Sequence, residues 1–202
     1  MLKLYFAPRS RATRVVWLME EMGLAYELHR FELGAPQMRC ADYRQVHPMA
    51  RVPALQDGDV TLFESGAILE YLMERHGGDR FRRAPCDPAY PHYLQWMHYS
   101  EGMLMPPVNS YMVETFFLPP ERRSEVHAKR ARKLLGQMLA PVDAALDGKD
   151  YLAGDFSAAD IMTGSAVLFA RRIGVEMGHM ENLAPYMARL EARPAYQTSE
   201  AL

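Results

Sequence analysis

Apolar runs and amphipathic segments alternate along the first 76 residues of the chain. The short apolar runs Leu2–Phe6 and Tyr26–Phe31 are typical of strands. Between them, apolar residues recur at helical spacing, and this segment ends at Gly23, a residue type that commonly terminates helices. The apolar positions of this predicted helix are Val15, Leu18, Met19 and Met22.

The segments that follow complete the pattern of a mixed sheet. Pro36–Gln45 is a weaker helix candidate. The short runs Val52–Gln56 and Val60–Phe63 flank Asp57-Gly58-Asp59, which is a strong hairpin signal. Ser65–His76 has one apolar face and is followed by two glycines. The predicted order of elements is therefore β-α-β-α-β-β-α.

Glycine and proline concentrate between Gly77 and Pro88, and every periodic segment after them is helical. Pro141 is expected to kink or end the helix that contains it. The predicted fold class is α/β plus all-α. The expected organisation is an α/β domain over residues 1–77, a linker over 78–87 and an all-helical domain over 88–202.

Charge and residue usage exclude several classes of partner. The 202 residues include 23 basic and 25 acidic side chains, and the formal charge of −2 provides no general attraction to nucleic acid or anionic lipid. No apolar run approaches the roughly 20 residues of a membrane span. Cys40 and Cys86 lack zinc spacing, and His92 and His98 lack ligand-like neighbours, so no metal is expected. Unpaired thiols and a start without a signal-peptide pattern favour the cytoplasm.

Four motifs, in order along the chain, resemble those of the soluble, cytosolic glutathione S-transferases. Val52–Leu55 followed by Phe63–Ile68 resembles the paired signature of the first domain of that family. Gly154–Asp160 resembles the helix-capping motif of the second domain, and Arg193–Tyr196 resembles a common C-terminal ending. The resemblance implies a thioredoxin-like first domain that binds glutathione and a helical-bundle second domain that carries the electrophile pocket.

The stretch His47–Pro53 resembles the family's Asn-Pro-x-Gly-x-Val-Pro segment, with His47 in place of the usual Asn and Ala50 in place of the usual Gly. The resemblance implies a cis Val52-Pro53 bond, whereas the sequence alone predicts trans and an ordinary edge-strand proline. With the cis bond, the Val52 N–H and C=O would hold the cysteinyl backbone of glutathione as another strand would.

The resemblance assigns Glu64 and Ser65 to the γ-glutamyl end of glutathione. A helix N-terminus can bind the α-carboxylate, although Ser65 is equally well placed to be the N-cap of the predicted helix. The glycyl carboxylate is expected to pair with Arg51 or Arg11, and for Arg51 a solvated surface role stays open. In some classes, acidic residues placed like Glu101 reach across a dimer to the γ-glutamyl ammonium.

Two hydroxyl groups are candidates for activating the thiol. Ser10 lies between the first strand and the first helix, where Pro8–Val15 resembles the serine-type pattern of the phi class. Its alternative role is helix capping. Tyr5 is the runner-up, because a strand-one tyrosine serves in the tyrosine-type classes, and its alternative role is packing in the core.

The electrophile pocket is expected on the first helix of the second domain, where methionine and aromatic side chains crowd together. The same stripe is typical of a plain helical core, and at least half of its residues are expected to be core. The candidate pocket residues are Tyr99, Met103, Met105, Tyr111 and Phe116.

The resemblance thus implies a glutathione S-transferase with a serine-type, phi- or theta-like pattern, using glutathione as co-substrate and acting as a homodimer. Its thiolate would attack an apolar or aromatic small-molecule electrophile, as in detoxification. Two alternatives stay open. One is a glutathione-dependent isomerase or ether-cleaving lyase on the same fold, and the other is a non-catalytic interaction protein.

Overall fold

The computed structural model describes all 202 residues, and the chain divides into two compact units. The first unit contains Met1–Arg82 together with Glu191–Leu202, and the second contains Arg83–Leu190. This division groups residues 191–202 with the first unit, whereas the sequence-based domains place them in the helical part. The domain boundaries 1–77, 78–87 and 88–202 stay a prediction.

The first unit is built on a four-stranded mixed sheet with the strand order β2-β1-β3-β4. β1 is parallel to β2 and antiparallel to β3, and β3 is antiparallel to β4. The strands are β1 Leu2–Phe6, β2 Tyr26–Arg30, β3 Ala54–Asp57 and β4 Val60–Phe63. Together with three helices they confirm the predicted order β-α-β-α-β-β-α.

The helices of this part are α1 Ala12–Met22, α2 Ala41–Val46 and α3 Ser65–His76. Gly23 and Gly77 both take the left-handed conformation that ends a helix, as predicted. The weaker helix expected over Pro36–Gln45 is split into a 3₁₀ turn and α2. The break falls at Cys40, whose backbone is extended and whose sulfur accepts a hydrogen bond from the Tyr43 N–H at the start of α2.

The two faces of β1 enter different parts of the core, because successive strand residues point to opposite sides. Leu4 and Phe6 are fully buried, as are Leu18 of α1 and Ile68 of α3. Tyr5 points the other way and joins a separate small cluster, whose other buried members are Met38, Tyr43 and Ala54.

A further helix, α9 Pro194–Ala201, packs on α1 within the first unit. The rings of Trp17 and Tyr196 meet edge to face with centroids 4.9 Å apart, within the favourable range for aromatic pairs. The Arg193 guanidinium donates to both carboxylate oxygens of Glu21, at 2.5 and 2.8 Å. The helix that begins beside the candidate thiol-activating loop is therefore braced by residues from far along the chain.

The loop between α2 and β3 contains a non-glycine residue in the left-handed region. Ala50 has φ +52°, and its N–H closes a turn by donating to the His47 C=O at 2.8 Å. A Cβ in this conformation costs about 1 kcal/mol or more, whereas glycine adopts it freely. This explains physically why the corresponding position suits glycine.

The second unit is helical throughout. Its helices are α4 Tyr90–Tyr99, α5 Met105–Met112, α6 Glu125–Ala145, α7 Ser165–Arg172 and α8 Leu183–Glu191, the last ending at the unit boundary. A π-helical turn over Ser100–Leu104 joins α4 to α5, just before Pro106 and Pro107, which cannot donate to the preceding turn.

Of the two outcomes expected at Pro141, the end of the helix is wrong, because α6 continues to Ala145, and the kink stays a prediction. A proline removes one backbone hydrogen bond, but α6 also carries a stripe of buried side chains on both sides of it, which hold the helix in place. The buried stripe consists of Ala131, Leu135, Leu139 and Val142.

A buried carboxylate lies at the start of the helical segment that leads into α7. Asp160 is fully buried and accepts from the Leu152 and Ser157 N–H groups, both at 2.9 Å. It also accepts from the hydroxyls of Ser157 and Tyr186, both at 3.1 Å. Burial raises the pKa of Asp160 to about 6, and these donors oppose that rise. The Asp160 carboxylate thus caps the Ser157 N–H, as the resemblance of Gly154–Asp160 to a helix-capping motif predicts.

Replacing this carboxylate by an amide should be strongly destabilising. In Asp160→Asn, an NH₂ group replaces one carboxylate oxygen and so faces N–H and O–H groups that also donate. We therefore expect the free energy of unfolding to fall by about 3 kcal/mol. Urea denaturation measures this. The matched variant Ser157→Ala removes only a hydroxyl and should cost about 1 kcal/mol; equal losses in the two variants would contradict the role given to the carboxylate.

Ala50→Gly should stabilise the protein, because glycine removes the penalty of the left-handed conformation. We expect a gain of about 1 kcal/mol in the free energy of unfolding, also measured in urea. The control is Ala140→Gly, at an exposed position inside α6, where the same change should cost about 0.5–1 kcal/mol. A loss of stability in both variants would show that Ala50 is not strained.

Candidate functional site

The register of the sheet brings three separate loops to one end of the first unit. Tyr5 of β1 lies opposite Ala54 of β3, and Ala54 lies opposite Phe63 of β4. The end of β1, the start of β3 and the end of β4 therefore meet. The loop with Ser10 follows the end of β1, Val52 precedes the start of β3, and Glu64 follows the end of β4.

Val52 presents its main chain at this end of the sheet. The Val52-Pro53 peptide bond is cis, which confirms the expectation from the family resemblance. Pro53 is buried and Val52 is half-buried. Neither the N–H nor the C=O of Val52 forms a hydrogen bond within the protein, and strand pairing begins only at Ala54. A pair of main-chain groups in this state can bind an extended peptide segment.

The N-terminus of α3 lies beside Val52. Glu64 is exposed and takes an unusual φ of +77° in the N-cap position, while Ser65 is the first helical residue and only 3% exposed. The N-cap role expected for Ser65 is therefore wrong. The first turn of α3 contains no acidic residue. Its N–H groups and helix dipole make this end suitable for an anion.

Arg14 also contacts the start of α3, and the sequence analysis did not identify it. Its guanidinium is buried within the first unit and donates to the Ser65 Oγ at 3.3 Å. The signal was available, because an arginine stands beside Val15 on the buried side of α1, where a charge is uncommon unless it has a specific partner.

Ser10 lies in the loop between β1 and α1 and is partly exposed. Its Oγ accepts from the Ala12 N–H at 3.1 Å, a capping interaction, and its hydroxyl donates to the Ala7 C=O at 2.7 Å. Helix capping and thiol activation, the two roles considered for Ser10, would therefore both use the Ser10 Oγ. To stabilise a thiolate, the hydroxyl must rotate its hydrogen away from Ala7.

Tyr5, the alternative hydroxyl, is enclosed in the core. The ring is 8% exposed and packs against Tyr43, His29 and Phe31 at centroid distances of 5.2, 5.0 and 6.4 Å. Its hydroxyl donates to the Gln56 Oε1 at 2.9 Å. This is the packing role that the sequence analysis left open.

The two arginines considered for the glycyl carboxylate lie in different loops. Arg51 is exposed and immediately precedes Val52, and its C=O accepts from the buried Tyr43 hydroxyl at 2.5 Å. Burial raises the pKa of Tyr43 well above its ordinary value, so this hydroxyl stays a donor. Arg11 occupies the N-cap position of α1 and is half-exposed. Arg51 therefore has a main chain fixed by the core and a side chain in solvent.

The candidate residues of the second unit do not form one group. Tyr99 donates its hydroxyl to the Met138 C=O at 2.9 Å, and Met105 is buried, so both contribute to the helical core. Tyr111 and Glu101 are half-buried. Met103 and Phe116 are 41% and 62% exposed. From Tyr99 to Phe116 the helical path spans roughly 25 Å, too far for one small pocket.

Two other kinds of site are not suggested by the structure. No group of three or more His, Cys, Asp or Glu side chains is placed to hold a metal ion. None of the helices combines the length and apolar character needed to cross a bilayer.

Comparison with known proteins places the chain in a family. Residues 1–74 match the model of the glutathione S-transferase N-terminal domain, and residues 105–194 match that of the C-terminal domain. Glutathione S-transferase 3 of Schizosaccharomyces pombe is 30% identical over 96% of this chain and 85% of its own length. Glutathione S-transferase 4 of Zea mays is 30% identical over 91% of this chain and 84% of its own length.

Solved structures give the same result. The theta class glutathione S-transferase of Xanthomonas axonopodis pv. citri, crystallised with glutathione bound, superposes with a TM-score of 0.87 at 28% identity, covering 100% of this chain and 97% of that one. The glutathione transferase of Pseudomonas putida, with glutathione disulfide bound, gives 0.87 at 25% identity, covering 100% and 91%. The fold, the motifs and these matches agree: the chain belongs to the glutathione S-transferase family.

Proposed function

We propose that this protein is a glutathione transferase that binds glutathione at the end of the sheet in its first unit and uses Ser10 to stabilise the thiolate. The observation that carries the proposal is the meeting of three features at that end. These are the unpaired main chain of Val52, the N-terminus of α3 and the loop with Ser10. Each suits a different part of the same tripeptide.

The cysteinyl backbone of glutathione pairs with the Val52 N–H and C=O, as a short added strand. Its γ-glutamyl carboxylate lies at the first turn of α3 and at Ser65, where N–H groups and the helix dipole favour an anion. Glu64 accepts from the γ-glutamyl ammonium. The glycyl carboxylate pairs with Arg51 or Arg11 by charge-assisted hydrogen bonds.

This placement directs the cysteinyl sulfur towards the loop after β1. A free thiol with a reference pKa of about 8.5 is only a few per cent ionised at pH 7. A hydrogen bond from a hydroxyl to a charged group contributes about 1.5–3 kcal/mol, and each unit of pKa corresponds to about 1.36 kcal/mol. The Ser10 hydroxyl alone therefore lowers the thiol pKa by about one to two units, at the cost of its bond to the Ala7 C=O.

The thiolate then attacks an electrophilic carbon and forms a carbon–sulfur bond. In a substitution, the leaving group departs with its bonding electron pair. In an addition, the electron pair of the attacked double bond moves into the conjugated acceptor. An apolar or aromatic electrophile suits the methionine and aromatic side chains that the second unit exposes, Met103 and Phe116 among them. The Tyr99 and Met105 side chains instead serve the core of that unit.

We also propose that the protein acts as a homodimer in the cytoplasm, with Glu101 available to a glutathione site across the dimer. One finding supports the compartment: Cys40 and Cys86 are both exposed and unpaired, which suits a reducing environment. The dimer rests on family membership.

The direct test is a pH titration of the ultraviolet thiolate absorbance of bound glutathione. Wild type should lower the apparent pKa of the thiol below its free value, and Ser10→Ala should raise it again by about one to two units. Tyr5→Phe should leave it unchanged, because the Tyr5 hydroxyl is held by Gln56. Calorimetry with glutathione first establishes that each variant binds.

Ser10→Ala also removes a helix cap, and a matched variant separates the two effects. Ser124 caps α6 in the second unit by accepting from the His127 N–H. Ser124→Ala should therefore cost a similar stability of about 1 kcal/mol without moving the thiol pKa. A rise in Tyr5→Phe alone would transfer the role to Tyr5. If glutathione binds and the pKa of its thiol is not lowered, the enzyme assignment fails, and the protein is a glutathione-binding interaction protein.

A further inference from the structure

His47 occupies a junction in the backbone that leads to the proposed glutathione site. Its N–H donates to the Tyr43 C=O at 2.8 Å and ends α2, and its C=O accepts from the Ala50 N–H at 2.8 Å to form the next turn. The side chain is 7% exposed. His47 therefore links the end of α2 to the turn that leads to Arg51 and Val52.

The imidazole makes one specific hydrogen bond within that segment. Its Nδ1 accepts from the Met49 N–H at 3.2 Å. A nitrogen that accepts carries no proton, so this contact assigns the neutral ring with its hydrogen on Nε2. The relation of residue i to the N–H of residue i+2 is the one that an asparagine oxygen makes in an Asx turn. His47 performs that function with a group that can gain a proton.

The ring also reaches the second half of the proposed site. It packs against Phe63 with centroids 4.7 Å apart and planes inclined by 34°. Phe63 is the last residue of β4 and directly precedes Glu64. The His47 side chain thus contacts both the segment before Val52 and the residue before Glu64.

Two charged groups influence His47, and both belong to the proposed glutathione site. Burial lowers the pKa of His47, the nearby Arg51 lowers it further, and Glu64 opposes them. The ring is consequently neutral at neutral pH, and it gains its proton only when the pH falls below about 6.5, the ordinary pKa of histidine. The protonated ring has a hydrogen on Nδ1, which meets the Met49 N–H instead of accepting from it.

We propose that His47 is a positioning residue for glutathione: its neutral ring holds the Met49–Val52 segment against Phe63, and its protonation releases this segment and makes glutathione binding acid-sensitive. The inference rests on the proposed function, because it concerns the same site. It assigns to His47 no contact with glutathione and no part in the thiol chemistry.

The test compares wild type with His47→Asn and His47→Leu by calorimetry with glutathione between about pH 7 and about pH 5. In this range both carboxylates of glutathione stay ionised, going by reference values below about 4, and the titration of the bound thiol is common to all three proteins. Asparagine supplies an oxygen that accepts from the Met49 N–H but does not titrate. Leucine fills similar space and accepts nothing.

For wild type we expect binding to weaken about fivefold or more on acidification, the effect of losing one hydrogen bond. His47→Asn should bind as wild type does at pH 7 and, at pH 5, should have lost about fivefold less affinity than wild type, because it keeps the contribution of the bound thiol but not that of His47. His47→Leu should bind about fivefold more weakly at both pH values. Glu64 and Arg51 are present in all three proteins, so their own effects cancel in the comparison.

An equal pH dependence in wild type and His47→Asn would overturn the proposal. Failure of wild type to bind glutathione at pH 7 would instead overturn the proposed function. If the variants do not fold, nitrogen-15 NMR of the wild-type histidine rings decides: a neutral Nε2–H tautomer for His47 at pH 7, with the Met49 amide signal shifting as that ring titrates, supports the proposal. An Nδ1–H tautomer contradicts it.

Discussion

The arrangement of the first unit depends on the pairing of β3, which binds β1 on one side and β4 on the other from its first residue, Ala54, while Val52 and Pro53 just before it pair with neither strand. Because pairing begins at Ala54, the main chain of Val52 is left at the end of the sheet with unsatisfied hydrogen-bonding groups. Such groups are costly when they have no partner, and folded proteins retain few of them. A peptide ligand that supplies both partners would extend the sheet, and this is the binding mode proposed for glutathione.

Much of this fold could be predicted from local patterns. The hairpin at Asp57-Gly58 and the helix ends at Gly23 and Gly77 follow from the backbone freedom of glycine, which acts within a few residues. The errors arose where a tertiary contact overrides a local preference. Pro141 does not end α6, since the buried stripe on both sides of it is packed in the core.

The site was less accessible to sequence reasoning, because its determinants lie far apart in the chain. Nothing near Tyr5 in the sequence indicates that its hydroxyl donates to Gln56, 51 residues further along the chain. The contact of Arg14 with Ser65 joins α1 and α3, between which β2, β3 and β4 lie in the sequence. Motifs could indicate which segments matter, but the direction of each hydrogen bond depends on the folded backbone.

The association of α9 with α1 affects how the first unit forms during synthesis. Trp17 contacts Tyr196, and Glu21 binds Arg193, but the ribosome adds these two partners only after the entire helical unit. The sheet can pair early, because its strands lie within the first 63 residues. The outer side of α1 nevertheless stays uncovered until residues 191–202 emerge. The unit that is translated first is thus the last to be completed, and the second unit can fold in the interval.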